Sequence, residues 1–262
     1  MAHALFIAAL VLLLTGTALA AVGEIRRREP LARAGAGALA MAWALEFAAL
    51  TVTGLTDATV PLRSGAEYLL VLGWFVLTLH LYLWFRSGIR ALALVLPPIA
   101  AVMVCAAHLM PSRGLQAGYG PARAWFIFHT SVATAGMAAL AVSFAMSVLF
   151  LVKDHALRSK TGPKLLVRLP SLETVDRIGF HALLWGFPLL TIGIVTGMVY
   201  NNRLHDRLWT WGFKEVFPVL AWGVFAVLLW ARFARGVRGR RSALLSIAGF
   251  ALGLLTLFGM VR

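Results

Sequence analysis

Residues 133–152 read Ala-Thr-Ala-Gly-Met-Ala-Ala-Leu-Ala-Val-Ser-Phe-Ala-Met-Ser-Val-Leu-Phe-Leu-Val, a stretch without a single charged side chain. A helix rises about 1.5 Å per residue, so about 20 apolar residues cross a hydrocarbon layer that is roughly 30 Å thick. The stretch is therefore long enough for one transmembrane helix. It forms the core of a longer apolar segment, residues 124–152.

The composition extends this conclusion to the whole chain. Of its 262 residues, 61% are hydrophobic and only 13% are charged, and the mean hydropathy is +0.85. A soluble domain carries roughly a quarter charged residues, so lipid must be the main solvent here. The net charge of +14 does not indicate nucleic-acid binding, because the basic residues lie in short loops and form no basic face with stacking aromatics. The single Cys105 excludes an internal disulfide.

Apolar segments of this kind recur along the chain and predict an all-α integral membrane protein of eight transmembrane helices. They form one domain that spans residues 1–262. In the first segment the arginines follow the apolar run, which favours a retained helix over a cleaved signal peptide. The predicted segments are 4–22, 34–54, 66–86, 90–110, 124–152, 177–200, 213–234 and 242–260.

The basic residues predict the orientation of these helices. The loops on one side hold 17 of the 24 lysines and arginines, and the other side holds 7. Cytoplasmic loops carry the excess of positive charge. Both termini are therefore expected on the periplasmic, outer side of a bacterial inner membrane. The longest cytoplasmic loop, residues 153–176, is predicted to be a solvated linker.

Two patterns concern helix packing. Gly193-xxx-Gly197 and Gly249-xxx-Gly253 predict close approach of neighbouring helices in lipid. Pro97-Pro98 predicts a kink within the fourth helix, because a proline nitrogen donates no hydrogen bond.

Titratable side chains at membrane depth are costly and point to function. Four consecutive predicted helices each carry one histidine: His80, His108, His129 and His181. From the predicted helix ends, His80 lies about 21 Å and His181 about 24 Å below the outer end, whereas His108 and His129 lie within about 8 Å of it. The histidines therefore sort into a cytoplasmic-side pair and an outer pair.

Imidazole is a ligand for iron, zinc and copper. With one cysteine and no clustered carboxylates, the sequence favours a haem held by two histidines over a closed zinc site. Each histidine, taken alone, is also compatible with a simple bond between helices. Glu46, near the centre of the second helix, is predicted to be a proton carrier, a counter-charge or a protonated helix–helix contact.

The outer loop between the sixth and seventh helices contains Trp209 and Trp211. Tryptophans at this depth are typical of an aromatic belt that anchors the membrane interface. They are equally suited to be a flat wall for a planar macrocycle, with Arg203 or Arg207 near its propionates.

Gly186-Phe-Pro-Leu-Leu-Thr-Ile-Gly-Ile-Val-Thr-Gly197, followed by Trp209-Thr-Trp211-Gly-Phe-Lys-Glu215, resembles the CcsA/CcmC-type haem-handling proteins of the cytochrome c assembly family. His129 matches the position of that family's first haem-ligating histidine. The segment from Pro170 to His181 is similar to the HemX/YpjD-like branch. The resemblance implies bound haem b, with His129 and His181 as ligands; the depth argument adds His80 as a second ligand of an inner haem.

The leading hypothesis is thus a haem-binding protein that takes up, transports or presents haem, and whose partners are haem, the lipid bilayer and proteins of cytochrome c maturation or haem synthesis. One alternative is a regulatory or assembly factor for tetrapyrrole synthesis or respiratory complexes that acts through protein contacts. Another is a proton-coupled transporter of a small solute that uses Glu46 and His80. The sequence presents no nucleophile–base–acid arrangement, so an enzyme is not expected.

Overall fold

The computed structural model describes residues 2–56, 64–87, 90–110, 123–159, 170–209 and 211–256. Within these ranges the chain is helical and has no strand, which confirms the predicted all-α class. The described ranges hold eight α-helices and one 3-10 helix, Arg90–Leu94. The α-helices are α1 (Ala2–Arg26), α2 (Glu29–Thr56), α3 (Gly65–Ser87), α4 (Leu96–Leu109), α5 (Arg123–Ser159), α6 (Leu172–His205), α7 (Phe213–Arg235) and α8 (Arg240–Leu255).

Seven of the described helices are long and apolar enough to cross a membrane. They are α1 to α7, where the fourth span runs over Leu92–Leu109 and includes part of the 3-10 helix. The remaining helix, α8, has 16 residues within the described chain. The chain is therefore a multi-pass membrane protein by length and composition, and the eighth span and the positions of the termini stay predictions.

The chain divides into two compact units. Unit 1 comprises residues 1–112 and 167–170, and unit 2 comprises residues 113–166 and 171–262. The single domain expected from the sequence thus contains two centres of packing.

Unit 1 is built around close contact between α1 and α2. A methyl group added at Gly35 would lie 2.4 Å from the backbone nitrogen of Ala20, and one at Gly23 would lie 2.4 Å from that of Ala32. The two helix backbones therefore approach as closely as small residues allow. Leu39 and Leu13, both almost completely buried, continue this interface.

Polar aromatic contacts join α2 to α3. Trp43 donates from Nε1 to Oγ1 of Thr78 at 2.7 Å, and Trp74 donates from Nε1 to the carbonyl oxygen of Trp43 at 3.2 Å. The two indoles stack with centroids 5.4 Å apart. In lipid these groups have no water to bond, so each indole N–H finds its acceptor on the neighbouring helix.

The structure corrects the expected kink at Pro97-Pro98. Residues 90–110 do not form one bent helix: a 3-10 turn, Arg90–Leu94, comes first, and α4 begins at Leu96. Both prolines therefore fall in the first turn of α4. The first four N–H groups of a helix have no partner within it, so prolines are tolerated there.

Unit 2 consists of α5 to α8, with α5 at its centre. Gly193 of α6 lies against the backbone of Ala133, where an added methyl would be 3.0 Å from Cα. On the α8 side, Phe144 stacks on Phe250 with ring centroids 4.9 Å apart. An added methyl at Gly249 would lie 2.8 Å from the Phe225 ring of α7. Gly193 thus lies against the backbone of the neighbouring helix, as its pattern predicts, whereas Gly249 makes room for an aromatic ring, and close helix approach at the second pattern stays a prediction.

The linker between α5 and α6 is shorter than the sequence predicted. Both ends of the predicted linker 153–176 are helical, because α5 continues to Ser159 and α6 begins at Leu172. Arg158 pairs with Asp154 one turn earlier at 3.0 Å, and the Ser171 hydroxyl accepts from the Thr174 amide to cap α6. An ion pair on α5 and a side-chain cap on α6 thus stabilise these two helices beyond their apolar parts.

The contact between α1 and α2 generates a prediction. Gly35→Ala should lower the free energy of unfolding by about 1–3 kcal/mol, since its methyl meets backbone that cannot move aside. Gly37→Ala, two residues away on an exposed face with nothing within 4 Å, is the matched control. Thermal denaturation in detergent measures both. Equal midpoints for the two variants would contradict this account of the interface.

Candidate functional site

The four histidines predicted as ligands lie on four different helices. His80 is on α3 and His108 on α4, both in unit 1, whereas His129 is on α5 and His181 on α6, both in unit 2. Each predicted pair thus draws one histidine from each unit. The pairing and the shared depths stay predictions, and the surroundings of each ring are described separately below.

His129 is held by α6. Its Nδ1 lies 2.9 Å from the carbonyl oxygen of Gly193 and 3.2 Å from Oγ1 of Thr196. A carbonyl oxygen only accepts, so Nδ1 carries the hydrogen and donates it. In a neutral imidazole this leaves a lone pair on Nε2. The backbone of α6 therefore fixes the tautomer in which Nε2 is free to bind a metal.

The space around His129 is shaped by two residues further along α6. A methyl group on Gly197 would come within 2.7 Å of Cε1 of the imidazole, so only glycine leaves room for the ring in this position. Tyr200 lies nearly parallel to the imidazole, with an interplanar angle of 10° and centroids 6.4 Å apart. The ring is thus fixed in position as well as in tautomer.

Trp125 and Arg203 lie beside this histidine. Trp125 donates from Nε1 to the carbonyl oxygen of Thr196 at 3.0 Å, and the guanidinium carbon of Arg203 lies 5.3 Å from the indole centroid. We refer to Trp125, His129, Thr196, Tyr200 and Arg203 as the His129 cluster. It combines an imidazole, two aromatic side chains and a cation at one end of the α5–α6 interface.

His108 occupies an exposed position near the end of α4. Its Nδ1 lies 2.8 Å from the carbonyl oxygen of Val104, one turn earlier in the same helix. Because this carbonyl oxygen can only accept, Nδ1 of His108 donates, and Nε2 of the neutral ring keeps its lone pair. Phe6 of α1 approaches the imidazole edge-on, with centroids 6.2 Å apart.

Among the described residues of unit 1, three side chains have buried polar atoms without a hydrogen-bond partner: Thr17, Glu46 and His80. His80 is completely buried, and neither of its ring nitrogens has a partner within the described part of the chain. Glu46 is 2% exposed, and its Oε1 has no partner there either. Burying a polar group without a partner costs free energy, and such groups commonly mark a functional site or a bound water.

His181 lies on an exposed face of α6. Arg177 and Trp185, one turn before and one turn after it, are exposed on the same face, and 75% of the Trp185 surface is accessible. Among the described residues, neither ring nitrogen of His181 makes a hydrogen bond. This histidine is therefore accessible but not oriented, in contrast to His129.

The two tryptophans of the following loop meet edge-on. The rings of Trp209 and Trp211 have centroids 5.7 Å apart and an interplanar angle of 79°, so together they do not form one flat wall. Trp211 has a φ of 59°, which turns the chain there, and is 81% exposed. Nε1 of Trp209 is buried without a partner. Arg203 lies on Trp125, and the carbonyl oxygen of Arg207 accepts from Asn201 at 2.9 Å.

The described helices contain no group of three or more His, Cys, Asp or Glu side chains placed to hold a metal ion. Two histidines suffice when a macrocycle supplies the other ligands, and the side chains around His129 are compatible with that: an oriented Nε2, aromatic surfaces and a nearby cation. The histidines fit haem better than a bare ion.

Arg203 and His129 of the His129 cluster were predicted from the sequence, and its other three members were not. Trp125, Thr196 and Tyr200 contact His129 or its hydrogen-bond partners, yet none was singled out. The spacing gave a signal: Gly193, Thr196, Gly197 and Tyr200 recur at intervals of three and four residues and therefore share one face of α6.

Several known proteins are similar in sequence to this chain. The profile of the family described as "Cytochrome C assembly protein" matches residues 36–261. A cytochrome c biogenesis protein CcsA from Guillardia theta is 30% identical over 211 positions, which cover 73% of this chain and 70% of the relative. The protein of the same name from Gloeobacter violaceus is 29% identical over 308 positions, covering 97% and 91%. That from Synechococcus elongatus is 29% identical, covering 83% and 81%.

Proposed function

This chain belongs to the cytochrome c assembly protein family, and we propose that it handles haem for cytochrome c biogenesis by binding it through histidines of its membrane helices. The three relatives described above are named for cytochrome c biogenesis. The HemX/YpjD-like branch remains a prediction within this family.

One observation carries the proposal: the bond between Nδ1 of His129 and the Gly193 carbonyl. A histidine that ligates a metal usually donates its other ring hydrogen to an oxygen acceptor, which fixes the ring and raises the basicity of the ligating nitrogen. His129 already has this arrangement, and Gly197 leaves the room that it requires. We infer that Nε2 of His129 would bind the iron of a haem.

The neighbours of His129 suit the remainder of a haem. Trp125 and Tyr200 offer apolar ring surface, and Arg203 offers a guanidinium that can bind a propionate through two hydrogen bonds. Haem b, held without a covalent bond, supplies the iron that binds the imidazoles. The chain's own contribution is to orient Nε2, to provide the aromatic contacts and to neutralise propionate charge.

The other three histidines are candidates for further residues that would hold haem. His108 has the same tautomer as His129, with Nε2 free, and His181 is accessible on α6. His80 has two unpartnered ring nitrogens in a buried position. We propose that haem is taken up, transported or presented through these residues, with Trp209 and Trp211 contributing aromatic surface. On this proposal the protein carries out no covalent chemistry itself, and proteins of cytochrome c maturation or haem synthesis are its partners.

Replacement of the oriented histidine provides the first test. Protein purified in detergent from haem-replete cells should show a Soret band, and His129→Ala should lose most of that absorbance per mole of protein. His155→Ala, at an exposed position of the same helix, is the matched control and should retain it. Gly197→Ala should also lower the haem content, since its methyl displaces the ring, whereas Gly223→Ala, with nothing within 4 Å, should not.

Two results would reject this proposal in different ways. A colourless wild-type protein from haem-replete cells would remove haem binding. A Soret band that survives both His129→Ala and Gly197→Ala would remove His129 as a ligand and leave the other histidines.

A second function is favoured by Glu46. A carboxyl group that is 2% exposed and has an unpartnered Oε1 is suited to carry a proton within lipid, as a proton-coupled transporter of a small solute requires. On that hypothesis, Glu46→Gln abolishes growth or uptake that depends on the proton gradient while the haem content is unchanged. If Glu46→Gln alters neither, the carboxyl group is a helix contact and this second function is excluded.

The orientation also belongs to the proposal. We propose eight spans, both termini on the outer side and residence in the bacterial inner membrane, since the excess of basic residues then lies in the cytoplasm. Alkaline phosphatase fused after Arg262 should be active, and green fluorescent protein fused there should be dark. The reverse result at this position would show an odd number of spans or an inverted chain.

A further inference from the structure

Unit 2 contains a small cavity lined by residues of α5, α6, α7 and α8, which we call the serine cavity. Its polar lining consists of four serines and one ion pair: Ser143, Ser147, Ser242, Ser246, Asp176 and Arg232. The serines form two pairs at a spacing of one helical turn, one pair on α5 and the other on α8. Apolar side chains, among them Met146 and Phe180, complete the wall.

The ion pair at this cavity is neutral as a unit. Arg232 donates to both oxygens of Asp176, from Nη1 at 3.0 Å and from Nη2 at 2.6 Å, and its side chain is 8% exposed. Nη1 also donates to the Ser242 hydroxyl at 2.7 Å. The guanidinium carbon lies 4.3 Å from the centroid of the Phe180 ring. A bound cation would meet Arg232 and a bound anion would meet Asp176, so the cavity favours a neutral ligand.

The serines keep hydrogen-bonding capacity that the described side chains do not use. Ser143 and Ser246 bond to each other at 3.0 Å, and Ser147 donates to the Ser143 carbonyl at 2.8 Å. A hydroxyl group has one donor and two acceptor positions. All four serines are buried, and Ser246 lies about 9 Å along α8 from its first residue. Their unused acceptors therefore face the cavity and not bulk water.

The size of the cavity selects the ligand. Its volume is about 20 Å³, and a cavity of roughly 10–15 Å³ or more with two to four polar partners holds a water molecule. The serine hydroxyls that line the cavity still have acceptor positions to offer such a molecule. We propose that the serine cavity binds one exchangeable water molecule, which hydrogen-bonds to the serine hydroxyls and so bridges α5 and α8.

Two methionines of α5 allow a sharp test. Met146 lines the cavity and is 1% exposed, whereas Met137 packs against Gly253 outside the cavity lining and is 5% exposed. Brief X-ray radiolysis of the full-length protein in ¹⁸O-labelled water oxidises side chains beside bound water. Met146 should incorporate label several-fold faster than Met137, although bulk solvent access alone predicts the opposite order. Equal rates, or a faster Met137, would overturn the proposal.

A second test fills the cavity with a larger apolar side chain. Ser246→Val replaces the hydroxyl with two methyl groups and should lower labelling of Met146 to the rate of Met137, while Met137 stays unchanged as the internal control. Ser246→Ala leaves the space open and should retain more label. Ser147→Val repeats the test from α5 if the first variant does not fold. Undiminished labelling of Met146 in a folded valine variant would show that its oxidation does not depend on the cavity.

Discussion

The structure depends on one constraint: lipid forms no hydrogen bonds, so each polar group within a span must find its partner in the chain. Trp43 and Trp74 satisfy their indole N–H groups across the α2–α3 contact. The Thr134 hydroxyl bonds back to its own helix at 2.7 Å. His129 bonds to α6 through one ring nitrogen and in doing so leaves the other available. The same constraint that stabilises the helices thus also leaves Nε2 of His129 without its hydrogen.

Buried polar groups that lack a partner are as informative as those that have one. Among the described residues, Thr17, Glu46, His80 and Trp209 have buried side-chain polar atoms without a partner. Glu46, His80 and Trp209 are residues that the sequence predicts to be functional, whereas Thr17 on α1 was not predicted. The serine cavity shows the opposite arrangement, in which several groups have partners and still keep acceptors for a small neutral molecule. Unused acceptor positions on paired groups and missing partners of buried groups are thus two separate indications of a binding site.

The sequence predicted the helices well and their ends poorly. Apolar runs of about 20 residues indicate where a transmembrane helix lies. Asp154, Arg158 and Ser171 extend or cap helices in polar segments, and hydropathy does not predict helices there. Pro97-Pro98 was placed inside a helix because the apolar run does not distinguish a 3-10 turn from an α-helix. The tautomer of His129 could not be read from the sequence, since it is set by Gly193, 64 residues away. The candidate histidines were chosen for their positions within predicted spans and, for His129 and His181, from the family resemblance; their role as ligands stays a prediction.

The connection between α1 and α2 has a consequence for biogenesis. Only Arg27 and Arg28 separate the two helices, and Arg27 has a φ of 54° that reverses the chain direction. Contacts between near neighbours in sequence require little loop closure and form quickly. The first two helices can therefore associate as a hairpin while the ribosome is still synthesising the histidine-bearing helices. We expect this hairpin to be in place before any of the four imidazoles enters the bilayer.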